Sequence, residues 1–276
     1  MKIALIQMKV GATPQENLAH AAQLVAEAAQ AGAELVSLPE MFCCPYETPN
    51  FPKFAEAEGG PFHQSLAALA KEAGVYLIAG SVPEDEDGKT YNTSYVFDPA
   101  GNCIAKHRKI HLFDINIAGG QKFMESETLT AGSRPTVFDT PWGKMGLCIC
   151  YDIRFPELAR LLALEGAKVI FIPAAFNMTT GPAHWELSFR ARALDNQVYM
   201  AGCAPARDLT ASYHSWGHSI ITTPWGEVMG QLEEEEGILY GALDFAREDA
   251  IREQLPLLKH RRTDLYELKD LTKEVN

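Results

Sequence analysis

The feature that most constrains this chain is an alternation. Short apolar runs of strand length give way again and again to amphipathic stretches with helix start and stop signals. Residues 2–8 read as a buried strand. Thr13-Pro14-Gln15-Glu16 is a capping box with proline at the first helical position, and the Ala-rich stretch behind it runs to about Ala31, where Gly32 stops it. Residues 35–38 form the next strand and end at Pro39-Glu40. A helix over 63–73 stops at Gly74, a strand covers 75–81, and two more strands flank the turn at 98–102. The later half repeats the pattern. Strands at 136–139 and 144–149 flank Pro141-Trp142-Gly143, a helix covers 156–165, and a strand covers 168–172. A helix at about 182–195 then precedes strands at 197–203, 218–223, 227–231 and 238–243. Such alternation predicts a layered α/β architecture rather than a bundle or a pure β-sandwich. No linker interrupts it, which predicts one domain.

The chain has 276 residues and can bury a sizeable core without disulfide staples. Its formal net charge of -12 excludes a nucleic-acid or anionic-membrane binding face, because both need a basic surface. The one basic run, Lys259 to Arg262, reads as a solvated patch or a subunit contact. No apolar segment is long enough to span a bilayer, and the N-terminal apolar run is too short for a signal peptide. A cytoplasmic location is therefore expected, with all six cysteines reduced. Cys148 and Cys150 lack zinc-knuckle spacing, and no histidine pair completes a metal site. A disulfide between these two would strain a strand, so a redox role is disfavoured.

Three polar residues sit where strands are expected to end: Glu40, Lys109 and Cys150. Carboxyl ends of strands are favoured places for reacting groups in α/β sheets. A cysteine, a carboxylate and an ammonium suffice for acyl transfer: the thiolate attacks, the carboxylate moves the proton, and the ammonium holds the oxyanion. Each residue also has a plainer reading. Cys150 serves equally as a small buried residue, Glu40 as a helix cap and Lys109 as a surface cation. Spacing alone leaves these alternatives open.

Three blocks narrow the choice. Leu38-Pro39-Glu40-Met41-Phe42, His107-Arg108-Lys109-Ile110-His111-Leu112-Phe113-Asp114 and Cys150-Tyr151-Asp152-Ile153-Arg154-Phe155-Pro156-Glu157 occur in one order. Together they resemble the nitrilase superfamily of carbon–nitrogen hydrolases, and the similarity runs through nearly the whole chain. Phe123-Met124-Glu125-Ser126 matches the block that supplies a second glutamate in that superfamily. Residues 176–187, 192–199 and 204–208 resemble its omega-amidase branch. The resemblance implies an α/β fold, a four-layer α-β-β-α sandwich formed by residues 1–276 as one domain. It also implies assembly into a homodimer or higher homo-oligomer, with the tail at about 258–276 offered to a dimer contact. It calls for no cofactor and no metal.

The resemblance further implies a small anionic amide as substrate. The reaction expected is cleavage of the terminal amide of 2-oxoglutaramate or 2-oxosuccinamate through a thioester on Cys150. Glu40, Lys109, Cys150 and Glu125 are the expected catalytic residues, with the Tyr151 backbone N–H on the oxyanion. Arg154 is the candidate grip for the substrate carboxylate, because guanidinium binds carboxylate bidentately. A structural ion pair of Arg154 with Asp152 or Glu157 is the competing reading. Thr180, Tyr46 and Phe176 are candidates for the pocket. An aliphatic amidase, an N-carbamoyl amino acid hydrolase or a nitrilase would share the same catalytic residues. A catalytically silent scaffold would lack one of them, and all four positions are filled.

Overall fold

The computed structural model describes residues 1–116 and 122–273; the last three residues of the expected dimer tail, 274–276, lie outside the described residues. The first half contains β1 (Lys2–Gln7), α1 (Pro14–Gln30), β2 (Leu35–Ser37), α2 (Asn50–Lys53), α3 (Pro61–Ala73), β3 (Tyr76–Ile78), β4 (Val82–Glu86), β5 (Lys89–Phe97) and β6 (Cys103–Arg108). A small antiparallel strand pair, β7 (Asp114–Asn116) with β8 (Lys122–Met124), stands between the halves. The second half contains β9 (Thr136–Thr140), β10 (Gly143–Leu147), α4 (Pro156–Leu164), β11 (Val169–Pro173), α5 (Gly181–Asn196), β12 (Tyr199–Cys203), β13 (Ile220–Thr222), β14 (Val228–Gln231), β15 (Gly237–Ala242) and α6 (Phe245–Gln254).

Local chemistry explains the elements. Thr13 caps α1 by accepting from the Glu16 N–H at 3.4 Å, and Pro14 opens the helix. Apolar residues at helical spacing then bury Ala21, Val25 and Ala28. The strands β1, β2 and β3 are almost wholly apolar and pair in parallel, as strands buried on both faces do.

Two sheets result. The first runs β15-β1-β2-β3-β5-β4, with β6 also paired to β5. The second runs β14-β13-β12-β11-β10-β9. Between them lies an inner core of Ile3, Leu5, Leu35 and Ile78 from one sheet and Leu147, Val169, Phe171 and Ile221 from the other. An outer core seats α1 and α3 on the far face of the first sheet, through Val25, Leu66, Leu69, Val36 and Leu77. A third seats α4 and α5 on the far face of the second sheet, through Leu158, Leu162, Trp185, Phe189 and Ile172. Three cores between four layers make the α-β-β-α sandwich. Among the described residues no helix is long and apolar enough to cross a membrane.

Some boundaries differ from expectation. The strand expected at 75–81 stops at Ile78, because Gly80 takes a left-handed φ of +54°. The strand expected to reach residue 149 stops at Leu147. Cys148 and Cys150 therefore do not share a strand face.

Candidate active site

Four chain segments converge at one end of the sandwich. The Glu40 segment leaves β2 and is fixed from below by the Gly80-Ser81 turn. A Cβ at position 80 would stand 2.1 Å from the Pro39 carbonyl oxygen, so only glycine fits there. The Ser81 N–H donates to the Pro39 carbonyl at 3.2 Å, and the Met41 N–H donates to Ser81 Oγ at 3.0 Å. Lys109 follows β6 directly, and its N–H donates to the Asn92 carbonyl at 2.8 Å. Glu125 opens a 3-10 turn, Glu125–Glu127, behind β8. Cys150 opens another, Cys150–Arg154, behind β10, and holds a left-handed φ of +45°. For a non-glycine residue that conformation is costly and must be enforced by its surroundings.

The side chains meet in a buried cluster. Lys109 is fully buried, and its Nζ lies 2.8 Å from Glu40 Oε1 and 2.9 Å from Glu125 Oε1. The plainer reading of Lys109 as a surface cation therefore fails. Tyr46 Oη donates to Glu125 Oε1 at 2.7 Å and lies 3.2 Å from Glu40 Oε1. Asn92 Nδ2 donates to Glu40 Oε1 at 2.9 Å. The Phe113 N–H donates to Glu125 Oε2 at 2.7 Å. Two donors, Lys109 and Asn92, thus converge on Glu40 Oε1, with the Tyr46 hydroxyl close by. Its other oxygen, Oε2, is buried with no well-formed hydrogen bond from any described group, and this carboxylate couples to the Cys150 thiol.

Burial and charge set the protonation states. Burial pushes the Cys150 thiol well up, and the Glu40 charge adds to it; the Lys109 ammonium and the Ala175 N–H pull it back only in part. The resting group is a thiol that needs a base. Burial alone would depress Lys109, but the Glu125 and Glu40 carboxylates outweigh it and hold the ammonium above its ordinary range. Burial raises Glu125, and the Glu40 charge adds, against Lys109, the Phe113 N–H and Tyr46. One ammonium shared by two carboxylates beside a thiol gives a site whose protons move together.

A cavity of about 390 Å³ opens onto the cluster, lined in part by Glu40, Tyr46, Ala175, Ala206 and Tyr213. Tyr46 and Tyr213 pack at 4.7 Å between ring centres, and Phe123 completes the aromatic wall. The Tyr213 hydroxyl donates to the Ala175 carbonyl. Tyr46 is therefore more than pocket wall, since its hydroxyl bridges the two carboxylates.

The remaining expected residues are placed as follows. Arg154 pairs with neither Asp152 nor Glu157. Asp152 is occupied by His107, His111 and Ile149, and Arg154 Nη1 lies 3.0 Å from His184 Nδ1. The Arg154 guanidinium stacks over Phe176 at 4.7 Å, so these two are neighbours, but neither is among the residues that line the cavity. Among the described residues no carboxylate stands within ion-pair distance of Arg154. The Thr180 hydroxyl donates to Asn177 Oδ1 at 3.0 Å at the start of α5, and Thr180 does not line the cavity. The Tyr151 N–H is among the leading amides of its turn, which have no partner inside it. Sequence reasoning missed Asn92 and Tyr213. In sequence Asn92 is only a lone amide inside the run Tyr91-Asn92-Thr93-Ser94-Tyr95; its burial and its reach to Glu40 come from the fold.

Residues 2–253 match the family model described as "Carbon-nitrogen hydrolase". The chain belongs to the carbon–nitrogen hydrolase family. Within that family it is 52% identical over 269 residues to omega-amidase NIT2-A of Xenopus laevis, covering 98% of each chain. It is 52% identical over 265 residues to omega-amidase NIT2 of Mus musculus, covering 96% of each. Among solved structures, Saccharomyces cerevisiae Nit3, a member of branch 10 of the nitrilase superfamily, superposes with a TM-score of 0.88. That pair is 42% identical and covers 95% of this chain and 96% of the other. The four-layer fold expected from the sequence is thus the fold of its relatives.

Proposed function

We propose that this hydrolase is an omega-amidase that cleaves the terminal amide of a small 2-oxo dicarboxylate monoamide, 2-oxoglutaramate or 2-oxosuccinamate. The products are the 2-oxo acid and ammonia. One observation carries the chemistry: a buried thiol couples to a buried carboxylate whose Oε1 takes an ammonium and an amide N–H. The near-full-length likeness to omega-amidases supports the substrate class.

The reaction follows from the groups present. Glu40 takes the Cys150 proton through its bare Oε2, and the thiolate attacks the amide carbon. The Lys109 ammonium and the Tyr151 N–H hold the oxyanion. The tetrahedral intermediate collapses, the carbon–nitrogen bond breaks, and Glu40 returns its proton so that ammonia leaves neutral. A thioester remains on Cys150. Glu40 then deprotonates water, which attacks the thioester, and the thiolate leaves and is reprotonated. Glu125 and Tyr46 hold Lys109 and Glu40 in register and touch no reacting atom. Arg154, backed by Phe176, grips the distal carboxylate, and Thr180 supports the α5 end of that wall.

The cytoplasm is the compartment this reading favours, since all six cysteines are free thiols. The reading also makes residues 1–276 one domain and pairs two copies. Exposed Leu265, Tyr266 and Leu271 in the tail are apolar surface that a partner copy would cover.

Ammonia release from 2-oxoglutaramate, set against glutamine, an aliphatic nitrile and an N-carbamoyl amino acid, tests the assignment. Preferred turnover of the first is expected. No turnover of it alongside hydrolysis of another would move the protein to a different branch of the family, and no turnover of any would point to a silent scaffold.

A further inference from the structure

Cys150 and Lys109 come from different sheets. Lys109 follows β6 of the first sheet, and Cys150 follows β10 of the second. Side-chain packing between sheets holds a mean separation but does not by itself fix two particular residues to a fraction of an ångström. The connection is made by Asp152, buried to within 1% of full burial. Its Oδ2 accepts from the Ile149 N–H at 3.0 Å and from His107 Nε2 at 3.1 Å. Its Oδ1 accepts from the His111 N–H at 2.9 Å and from His111 Nδ1 at 2.8 Å. One of the four bonds stays inside the Cys150 turn. The other three reach His107 and His111, the residues two before and two after Lys109.

We infer that Asp152 is a positioning residue for the amide hydrolysis proposed above: its carboxylate clasps the Cys150 turn to the Lys109 segment across the sandwich. The Asp152 N–H also donates back to the Ile149 carbonyl at 3.0 Å, so the same residue closes the turn in which Cys150 holds its left-handed φ. His107 is further anchored on Thr136 Oγ1 at 3.0 Å, and the His111 ring stacks on Phe155 at 3.6 Å. Both ends of the clasp are thus seated on the second sheet's side of the site. Each Asp152 oxygen takes one backbone N–H, and backbone donors cannot turn round. An asparagine here would set its NH2 group against one of those N–H groups in either orientation.

The test is Asp152→Asn in the full chain, with two readouts, and the inference rests on the proposed function for only one of them. Turnover is expected to fall about 100-fold at saturating substrate, the scale of an ångström's misplacement, with KM within about threefold. Iodoacetamide labelling of Cys150, which needs no substrate, is expected to slow about tenfold relative to wild type. A merely structural role would lower yield and melting temperature and leave the kcat of folded protein unchanged. Folded Asp152→Asn with kcat within threefold of wild type, or with wild-type labelling of Cys150, overturns the inference. If wild type hydrolyses no amide, the labelling comparison alone decides. If Asp152→Asn does not fold, His111→Ala decides instead, because that ring is partly exposed and its loss removes one bond of the clasp. An expected loss of about tenfold in kcat supports the inference, and unchanged kcat and labelling overturn it.

Discussion

Asn92 Nδ2 donates to Glu40 Oε1 at 2.9 Å, on the oxygen that Lys109 Nζ reaches at 2.8 Å. With the Tyr46 hydroxyl 3.2 Å away on the same side, Oε2 is left with no well-formed hydrogen bond from any described group. A base is made here by occupying the wrong oxygen.

Replacing Asn92 by alanine removes one of those donors and lets Glu40 rotate. Stability should drop by about 1–3 kcal/mol, because the site is buried. The kcat should fall at least about tenfold at unchanged KM. Urea unfolding and steady-state kinetics check both, and a variant with wild-type kcat would show that Glu40 needs no such orientation.

Tyr46→Phe keeps the aromatic wall and deletes the hydroxyl shared by two carboxylates. The Tyr46 hydrogen bond pulls Glu125 down against burial. Its loss therefore raises Glu125 further, and the acid limb of the kcat/KM profile should move to higher pH. A pH–rate profile with an unmoved acid limb would separate Tyr46 from the titrating cluster.

Lys109→Met leaves two carboxylates facing each other without a counter-ion. Breaking a buried pair by removing one partner costs about 3–5 kcal/mol. Loss of the oxyanion donor should cost a further 10²–10³ or so in kcat. Measurable turnover within tenfold of wild type would assign the oxyanion to other groups.

Far from the site, burial holds Glu248 up at about 8, against the pull of Arg252 at 2.8 Å. An unfolded glutamate ionises near 4.3. Between these two values the folded state binds more protons than the unfolded state, so stability falls as pH rises from about 4.5 to about 8. Glu248→Gln should flatten this fall, and its stability relative to wild type should increase across that window. Thermal melts at pH 5 and pH 8 that show the same difference at both would contradict the burial argument.

Much of this was legible in the sequence because it was local. The Thr13 cap with Pro14 behind it, the stop signals and the strand-length apolar runs each act within a few residues. The unread elements show what was not local in the same way. β4 carries Pro83-Glu84-Asp85-Glu86, poor strand formers, and is a strand because Asp87-Gly88, both left-handed, fold it onto β5. That two-residue turn is itself a hairpin signal. α6 is charged nearly all round, and its readable cue was the Asp244 cap, which accepts from the Ala246 and Arg247 N–H groups. In the site, Glu40, Lys109, Glu125 and Cys150 stand in motifs. Asn92 and the Asp152 clasp depend on strand register and on the meeting of two sheets, which no short window of sequence encodes.

The proposed mechanism turns on a covalent bond between Cys150 and the substrate's acyl group. Acid-quench mass spectrometry during steady-state turnover of 2-oxoglutaramate tests it most directly, with the Cys150→Ala variant run alongside. An acyl adduct is expected on the Cys150 peptide of wild type, with neither adduct nor ammonia release in Cys150→Ala. Ammonia release that survives in Cys150→Ala, or an acyl group carried by another residue, would contradict it.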